Sequence, residues 1–145
     1  MIWITVGEEW STIRSEESRL SQRRANSAII HSIHMAIEAL LAKERNIVLQ
    51  CMKATAAHIE NWEMHTRLGL DASDLQQVIT RWPNLDDRDE GSIDFLAINN
   101  CMNEVCYGFP IEQTEWSNWF DAPMNDVEST YRKWIALTGT SVGIR

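Results

Sequence analysis

Apolar side chains recur at intervals of three and four residues through much of the chain, which is the period of an amphipathic α-helix. The pattern predicts two long helices, over residues 26–44 and 46–68. The second helix is expected to end at Gly69, because glycine suits the left-handed conformation that often follows a helix. The two helices are expected to form an antiparallel hairpin that turns near Arg45. The apolar face of the first helix consists of Ile29, Ile33, Ile37 and Leu40.

Capping residues and stop signals divide the remainder of the chain into shorter helices. Asp71 is suited to begin a helix, which Pro83 ends because proline restricts the residue before it. The turn-forming residues 84–91 predict an exposed loop, and Ser92 is suited to cap the helix that follows it. The later helices are predicted over residues 92–108, 112–120 and 125–137.

These elements predict an all-α fold, a single helical-bundle domain of about five to seven helices over residues 1–145. A chain of 145 residues is long enough to bury one ordinary core. Residues 1–24 are polar and are expected to form an arm or a surface helix, and residues 138–145 an irregular tail. No stretch approaches the ~20 apolar residues that a membrane-spanning helix needs.

A weak internal repeat relates two parts of the chain. A shift of fifty-two places aligns two segments that each read as a helix end, a turn and a capped helix. Either a helix-turn-helix unit has been duplicated, or capped amphipathic helices simply look alike. The matching pairs include Ile59 with Ile111, Glu63 with Glu115, Asp74 with Asp126, and Trp82 with Trp134.

Acidic side chains are concentrated in the second half of the chain. Residues 59–128 contain fifteen aspartates and glutamates and three arginines, so that this segment carries a net charge of −12. The whole chain carries −8. A surface of one sign attracts partners of the opposite sign, so the charge predicts a basic partner.

Residue motifs exclude several kinds of chemistry. The cysteines Cys51, Cys101 and Cys106 are odd in number and lack a C-x-x-C pair, so they are expected to pack as small apolar residues. The sequence contains neither a nucleophile-elbow motif nor a glycine-rich phosphate loop. We therefore expect no catalytic residues and no cofactor. The apolar run at residues 1–6 is too short for a secretory signal, so a cytoplasmic location is expected.

The four histidines support an alternative function. His31 and His34 fall on the first predicted helix, and His58 and His65 on the second. Facing helices of a bundle bind metals through such side chains, so a helical metal-binding protein or enzyme is one alternative. The spacing is not diagnostic, however, because no glutamate stands three residues before any histidine. Half-buried or surface histidines are the simpler explanation of the pattern, and no metal site is assigned.

Surface recognition remains as the expected activity. A nucleic-acid partner is disfavoured, because the arginines near the start of the chain are balanced by glutamates. Tryptophan is common in binding hot spots, and one of the pair at 116 and 119 is expected to point outward and the other inward. Two clusters are the candidate partner-binding residues: Asp86, Asp87, Asp89, Glu90 and Asp94, and then Glu112, Glu115, Trp116, Trp119 and Asp121.

Several short runs between residues 60 and 120 resemble a known class of proteins. They are Thr66-Arg67-Leu68-Gly69, Ala97-Ile98-Asn99-Asn100, Asn103-Glu104-Val105 and Glu115-Trp116, together with Leu75, Trp82 and Gly108. Together these residues resemble small bacterial immunity proteins of contact-dependent growth inhibition and other polymorphic toxin systems. The resemblance implies neutralisation of a cognate toxin domain, often a nuclease, by tight one-to-one binding and without catalysis.

The expected function is therefore that of an immunity or inhibitor protein. The chain would be a monomer and would bind a toxin domain that has a basic surface, in a 1:1 complex. No nucleic-acid or membrane partner is expected. A helical adaptor or regulator of another protein is a further alternative, since the same acidic surface would serve it.

Overall fold

Helices form every regular element of residues 35–140, the part of the chain that the computed structural model describes. This confirms the prediction of an all-α bundle with five to seven helices. None of the helices described is long and apolar enough to cross a membrane. A 3₁₀ turn at Ala36–Ala39 precedes α1 Ala42–His58, α2 Asn61–Leu68, α3 Ala72–Arg81, α4 Ile93–Asn103, α5 Gln113–Trp119 and α6 Met124–Thr138. The predicted arm at residues 1–24 lies outside the described residues.

Helix α1 is the centre of the bundle, because it packs against α3, α4, α5 and α6. Its buried side chains, which include Val48 and Met52, do not form a single narrow stripe. Helix α4 is its main partner and contributes Ile98 and Met102 to the same core. Trp134 of α6 is the largest fully buried side chain. A helix with neighbours on several sides must be apolar on several sides, which explains why α1 is only weakly amphipathic.

The start of the bundle differs from the prediction. Residues 36–39 form a 3₁₀ turn, the chain is extended at Leu40 and Leu41, and α1 begins at Ala42. The predicted turn near Arg45 is wrong, since Arg45 lies within α1. The Glu44 carboxylate accepts the Leu41 amide proton at 2.7 Å, and this local contact fixes the helix start. Residues 26–34 of the predicted first helix lie outside the described part.

The predicted helix over residues 46–68 is divided into α1 and α2. His58 is the last residue of α1, and Ile59 and Glu60 are extended before α2 begins. The break allows the buried Ile59 and the buried Met64 of α2 both to reach the core. A continuous helix would have placed them on different sides, since residues five apart differ by more than a quarter turn.

Local signals at helix ends are confirmed. Gly69 follows α2 with a left-handed backbone at φ 74°, and Asp71 stands at the N-cap position of α3. The Ser92 hydroxyl accepts the Phe95 amide proton at 3.1 Å and caps α4. A π-helical turn at Glu104–Gly108 continues α4, within the predicted limit. Helix α6 extends one residue into the predicted irregular tail and ends before a left-handed Gly139.

The two segments of the predicted repeat show the same order of elements. Each has a short helix, a turn and a longer helix, and the aligned Leu75 and Val127 are both buried. The aligned tryptophans differ, because Trp82 follows α3 and is partly buried, whereas Trp134 lies within α6 and is fully buried. The Trp82–Pro83 peptide bond is cis. The duplication remains a prediction.

Candidate partner-binding surface

Neighbouring arginines pair with two acids of the first cluster. The Arg88 guanidinium lies 2.7 Å from the Asp86 carboxylate, and the Arg88 side chain and amide lower the pKa of Asp86 to about 2. Arg81 pairs with Asp94 at 2.6 Å. Burial alone would raise the pKa of Asp94, but the Arg81 guanidinium and the Asp86 amide outweigh it and hold the pKa below its usual value. These two carboxylates therefore add little net charge to the surface.

Asp87 is buried, which contradicts its predicted place in a partner-binding surface. Its side chain is 4% exposed, although the loop around it is largely solvent-accessible. Its two carboxylate oxygens accept the amide protons of Ala36 and Ile37 at 3.0 and 2.7 Å. These amides open the 3₁₀ turn and have no partner within it. Asp87 thus fastens the loop to the start of the bundle and is not available to a partner.

Replacing Asp87 with alanine should lower the free energy of unfolding by about 1–3 kcal/mol, because the buried Ile37 amide loses its acceptor. Asp86→Ala is the matched control, since the neighbouring Asp86 is exposed and joined only to the exposed Arg88 and its amide. It should cost less than about 0.5 kcal/mol. Urea unfolding followed by circular dichroism measures both. Equal costs would show that Asp87 does not hold the turn.

The pH dependence of this difference has a defined sign. Burial raises the pKa of Asp87, and the Ile37 and Ala36 amides only partly oppose it. The folded protein therefore binds the Asp87 proton more tightly than the unfolded chain does. The contribution of Asp87 to stability is largest below the unfolded pKa of about 3.9 and declines as the pH rises through the raised folded value. The cost of Asp87→Ala should accordingly be smaller at pH 7 than at pH 4.

Only two acids of the first cluster remain exposed without an ion pair among residues 35–140. They are Asp89 and Glu90. One Asp89 oxygen accepts the Gly91 amide proton at 2.9 Å, which shapes the turn but does not neutralise the charge. The first cluster therefore presents two carboxylates instead of five.

The second cluster lies on α5, which runs antiparallel to α1. Near one end, Glu115 faces His58 at the end of α1, with 3.7 Å between the carboxylate and Nε2. Beyond the other end, Asp121 accepts hydrogen bonds from the side-chain amides of Gln50 at 3.0 Å and Asn46 at 3.4 Å. Glu112 is exposed at the N-cap position. No lysine or arginine of the described residues pairs with these three acids, so their charge faces solvent.

The two tryptophans of α5 attach this helix to the bundle. The Trp116 ring stacks on Phe120 at 4.3 Å, and its Nε1 donates to the Ala122 carbonyl oxygen at 2.8 Å. Trp119 contacts His58 edge-on at 5.4 Å. Both side chains are partly buried, so the prediction that one of them points outward is wrong. Because α5 has no fully buried residue, these rings supply most of its packing.

Among the described tryptophans, Trp62 is highly exposed, and it is not one of the predicted partner-binding residues. Its side chain is 78% exposed, in the first turn of α2. Met64 and Leu68, four residues apart, form the buried stripe of this helix, and Trp62 lies on the opposite side. A single helix over residues 46–68, as the pattern predicts, does not place Trp62 in the first turn of a separate helix, so the sequence pattern does not indicate its exposure.

The histidines that the structure describes are not assembled into a metal site. His58 lies 2.7 Å from the Ala54 carbonyl oxygen through Nδ1, and its ring stacks on Phe109. His65, on α2, lies 3.4 Å from Asp71. No group of three potential metal ligands occurs within residues 35–140. His31 and His34 lie outside the described residues.

The two thiols in the core, those of Cys51 and Cys101, are buried and have low reactivity. Cys51 and Cys101 are fully buried, as expected for small apolar residues. Burial raises the pKa of Cys51 well above its usual value and that of Cys101 to about 12. A thiol is reactive as its thiolate, so both are poor nucleophiles.

Three asparagines of α4 form hydrogen bonds to neighbouring elements of the bundle. The Asn100 amide donates to the Leu68 carbonyl oxygen at 2.8 Å, at the end of α2. Asn99 accepts from the Trp134 indole at 3.1 Å, and Asn103 accepts from the Tyr131 hydroxyl at 3.2 Å. Their roles are structural, so they bear on the fold and not on the contact surface.

Comparisons with known proteins add no relative to this description. No family model, curated protein or solved structure matches the chain. What the surface binds is therefore inferred from the charges and contacts of the described residues.

Proposed function

We propose that this chain is an immunity protein that binds and neutralises a cognate toxin domain with a basic surface. In this proposal it acts in the cytoplasm as part of a contact-dependent growth inhibition or related toxin system, as a 1:1 complex and without catalysis. One observation carries the proposal: Glu112, Glu115 and Asp121 lie on or beside α5 and are exposed, with no lysine or arginine paired to them within residues 35–140.

Such a surface suits capture of a basic protein for two reasons. A concentration of negative charge speeds the encounter with a basic partner and orients it. Carboxylates can also occupy a cleft that a nuclease uses for phosphates, which excludes the substrate. The attachment of α5 to α1 through Trp116 and Trp119 means that little ordering is needed on binding, so less of the contact free energy is lost.

The contact surface that we propose is smaller than the two clusters predicted from the sequence. The α5 acids are its proposed centre, with Asp89 and Glu90 as the only loop acids that remain available. Asp86 and Asp94 are neutralised locally and Asp87 is buried. Trp116 and Trp119 are proposed to position the helix and to contact a partner only through their exposed edges.

Binding should depend strongly on salt and on the α5 carboxylates. The assay uses the purified chain and the toxin domain encoded by a neighbouring gene, with association followed by surface plasmon resonance. Raising the salt from about 0.05 M to 0.5 M should slow association by on the order of tenfold. Glu112→Gln and Glu115→Gln should each slow it by about twofold to fivefold, because each removes one steering charge.

Glu90→Gln is the matched control for these variants. Glu90 is likewise exposed, with no lysine or arginine partner among the described residues, but it lies in the loop before α4. It should alter association less than either α5 variant. An association rate that salt does not change would refute an electrostatic interface, and a larger effect of Glu90→Gln would place the interface on the loop.

A further inference from the structure

An apolar groove lies directly beside the acidic helix. Its volume is about 510 Å³, within the range of ligand-binding pockets. The π-helical turn, the segment after it, α5 and the start of α6 form its walls. Most of the lining is apolar, with Phe109, Ile111, Trp116 and Met124 as the large groups, and Gln113 and Cys106 as polar ones. A groove of this kind accepts an apolar group and offers few hydrogen bonds.

The walls of the groove are held in place by contacts outside it. Trp116 is fixed by its stacking on Phe120 and its hydrogen bond to Ala122. Phe109 stacks on His58 at 5.0 Å with the ring planes 7° apart. Since these contacts exist without a partner, the groove is preformed. A preformed pocket binds a side chain with little loss of conformational entropy.

Carboxylates stand on two sides of the groove. Glu112 lies between the lining residues Ile111 and Gln113 and is exposed. Glu128 lies one helical turn after Met124 on α6, and it contributes, after burial, to raising the pKa of Cys106 to about 12. Arg132 meets Glu128 at a long 3.9 Å, with its own side chain largely exposed. The rim is therefore acidic on the α5 side and balanced on the α6 side.

We infer that this groove receives one apolar side chain, aromatic or large aliphatic, from a lysine- or arginine-rich segment of the partner. The inference rests on the proposed function and deepens it by naming the part of the partner that is bound. The physical design is that of an interface hot spot: a buried apolar anchor excludes water, and opposite charges at the rim set orientation. The acidic helix alone would attract any cation, whereas the groove selects a segment with an apolar residue among its charges.

The test needs no toxin, because a short peptide reproduces the recognised segment. The probe is acetyl-Lys-Lys-Phe-Lys-Lys-amide, titrated into the full chain labelled with ¹³C at the methionine methyl groups. Met124 lines the groove, whereas Met52, Met64 and Met102 are buried in the core and Met35 lines a separate cavity. The Met124 methyl signal, assigned with Met124→Leu, should shift in a saturable way while the others stay in place.

Control peptides separate the anchor from the charge. Replacing the phenylalanine by alanine should weaken binding by on the order of tenfold, because the apolar burial is lost. Replacing the lysines by serines should weaken binding by roughly twofold to fivefold for each ion pair lost. Equal binding of the phenylalanine and alanine peptides would overturn the anchor, and equal binding of the serine peptide would overturn the basic flank.

A variant pair tests the same groove from the protein side. Gln113→Trp should fill the groove and abolish the Met124 shift, whereas Thr114→Trp places the same ring on the adjacent residue, which does not line the groove. Thermal unfolding checks that both variants are folded. If one of them is not, the comparison of the phenylalanine and alanine peptides on the unchanged protein tests the groove instead. A peptide that never shifts Met124, or that shifts all methionines alike, overturns the inference even where toxin binding is salt-dependent. A selective shift without toxin binding supports the groove and counts against the proposed function alone.

Discussion

Replacing Trp134 with alanine is expected to lower the free energy of unfolding by about 3–5 kcal/mol, the largest single-residue effect that we predict. The Trp134 side chain is 0% exposed and packs against Phe95, with 5.4 Å between ring centroids. Its Nε1 also donates to Asn99 on α4. Truncation therefore leaves a large cavity between α4 and α6 and leaves the Asn99 oxygen without its donor. Urea unfolding followed by circular dichroism measures the change.

Trp62→Ala is the matched control for this prediction. The residue type and the substitution are the same, but Trp62 is exposed, so the cost should stay below about 0.5 kcal/mol. Trp134→Phe separates packing from hydrogen bonding, because it retains a ring and loses the donor. We expect it to fall between the other two, at about 1–3 kcal/mol. Similar costs for Trp134→Ala and Trp62→Ala would contradict the assignment of Trp134 to the core.

The sequence predicted several helix ends that a local interaction determines. Gly69, Asp71 and Ser92 act within a few residues of their own position, through backbone conformation or the first turn of a helix. Capping preferences describe such contacts, and they can be read without knowledge of the fold. The number and order of helices after residue 70 followed from these signals.

The beginning of the bundle could not be predicted in the same way. Asp87 holds the amides of Ala36 and Ile37 from fifty residues away, and a pattern of apolar spacing contains no sign of that contact. The break at Ile59 likewise depends on which side of the chain the core occupies. A helical period continued across both positions, so the predicted helices were too long.

The sequence predicted only part of the candidate binding surface, because it does not show which acids form ion pairs in the fold. Total charge identified the acidic segment, but the net charge of a surface depends on which acids are paired. Asp86 and Arg88 are two residues apart and could be paired by inspection, whereas Arg81 and Asp94 meet only because α3 and α4 are neighbours. Within residues 35–140 the acids of the α5 segment have no such arginine, which is why they remain as the centre of the proposed surface.

A buried ion pair supports the π-helical turn beside the groove, and breaking it is the second large effect that we expect. Glu104 is only 7% exposed, and the Arg67 guanidinium lies 2.6 Å from its carboxylate. Arg67→Met should lower the free energy of unfolding by about 2–4 kcal/mol, because it leaves a buried carboxylate without its partner. This cost is toward the low end of what breaking a buried ion pair usually costs, because the Arg67 side chain is partly exposed.

The close packing around Glu104 determines which second substitution can compensate for Arg67→Met. A methyl group at Gly108 would overlap the Glu104 carboxylate, so the backbone passes directly against that side chain. A side chain larger than glutamate has no space on this side, and Glu104→Gln removes the charge while it keeps the shape. The double variant Arg67→Met, Glu104→Gln should therefore recover at least half of the stability lost in Arg67→Met, since no buried charge remains unpaired.

The double-mutant cycle isolates this pair from the other contacts of Arg67. Arg67 also lies 3.4 Å from Glu63, one helical turn earlier on α2, and Glu63→Gln should cost less than about 1 kcal/mol because that pair is more exposed. If Arg67→Met costs the same with glutamate or glutamine at position 104, the coupling is zero and Arg67 stabilises the fold through its other contacts. A coupling of about 1–3 kcal/mol would establish that the pair fixes the turn from which Phe109 enters the groove wall.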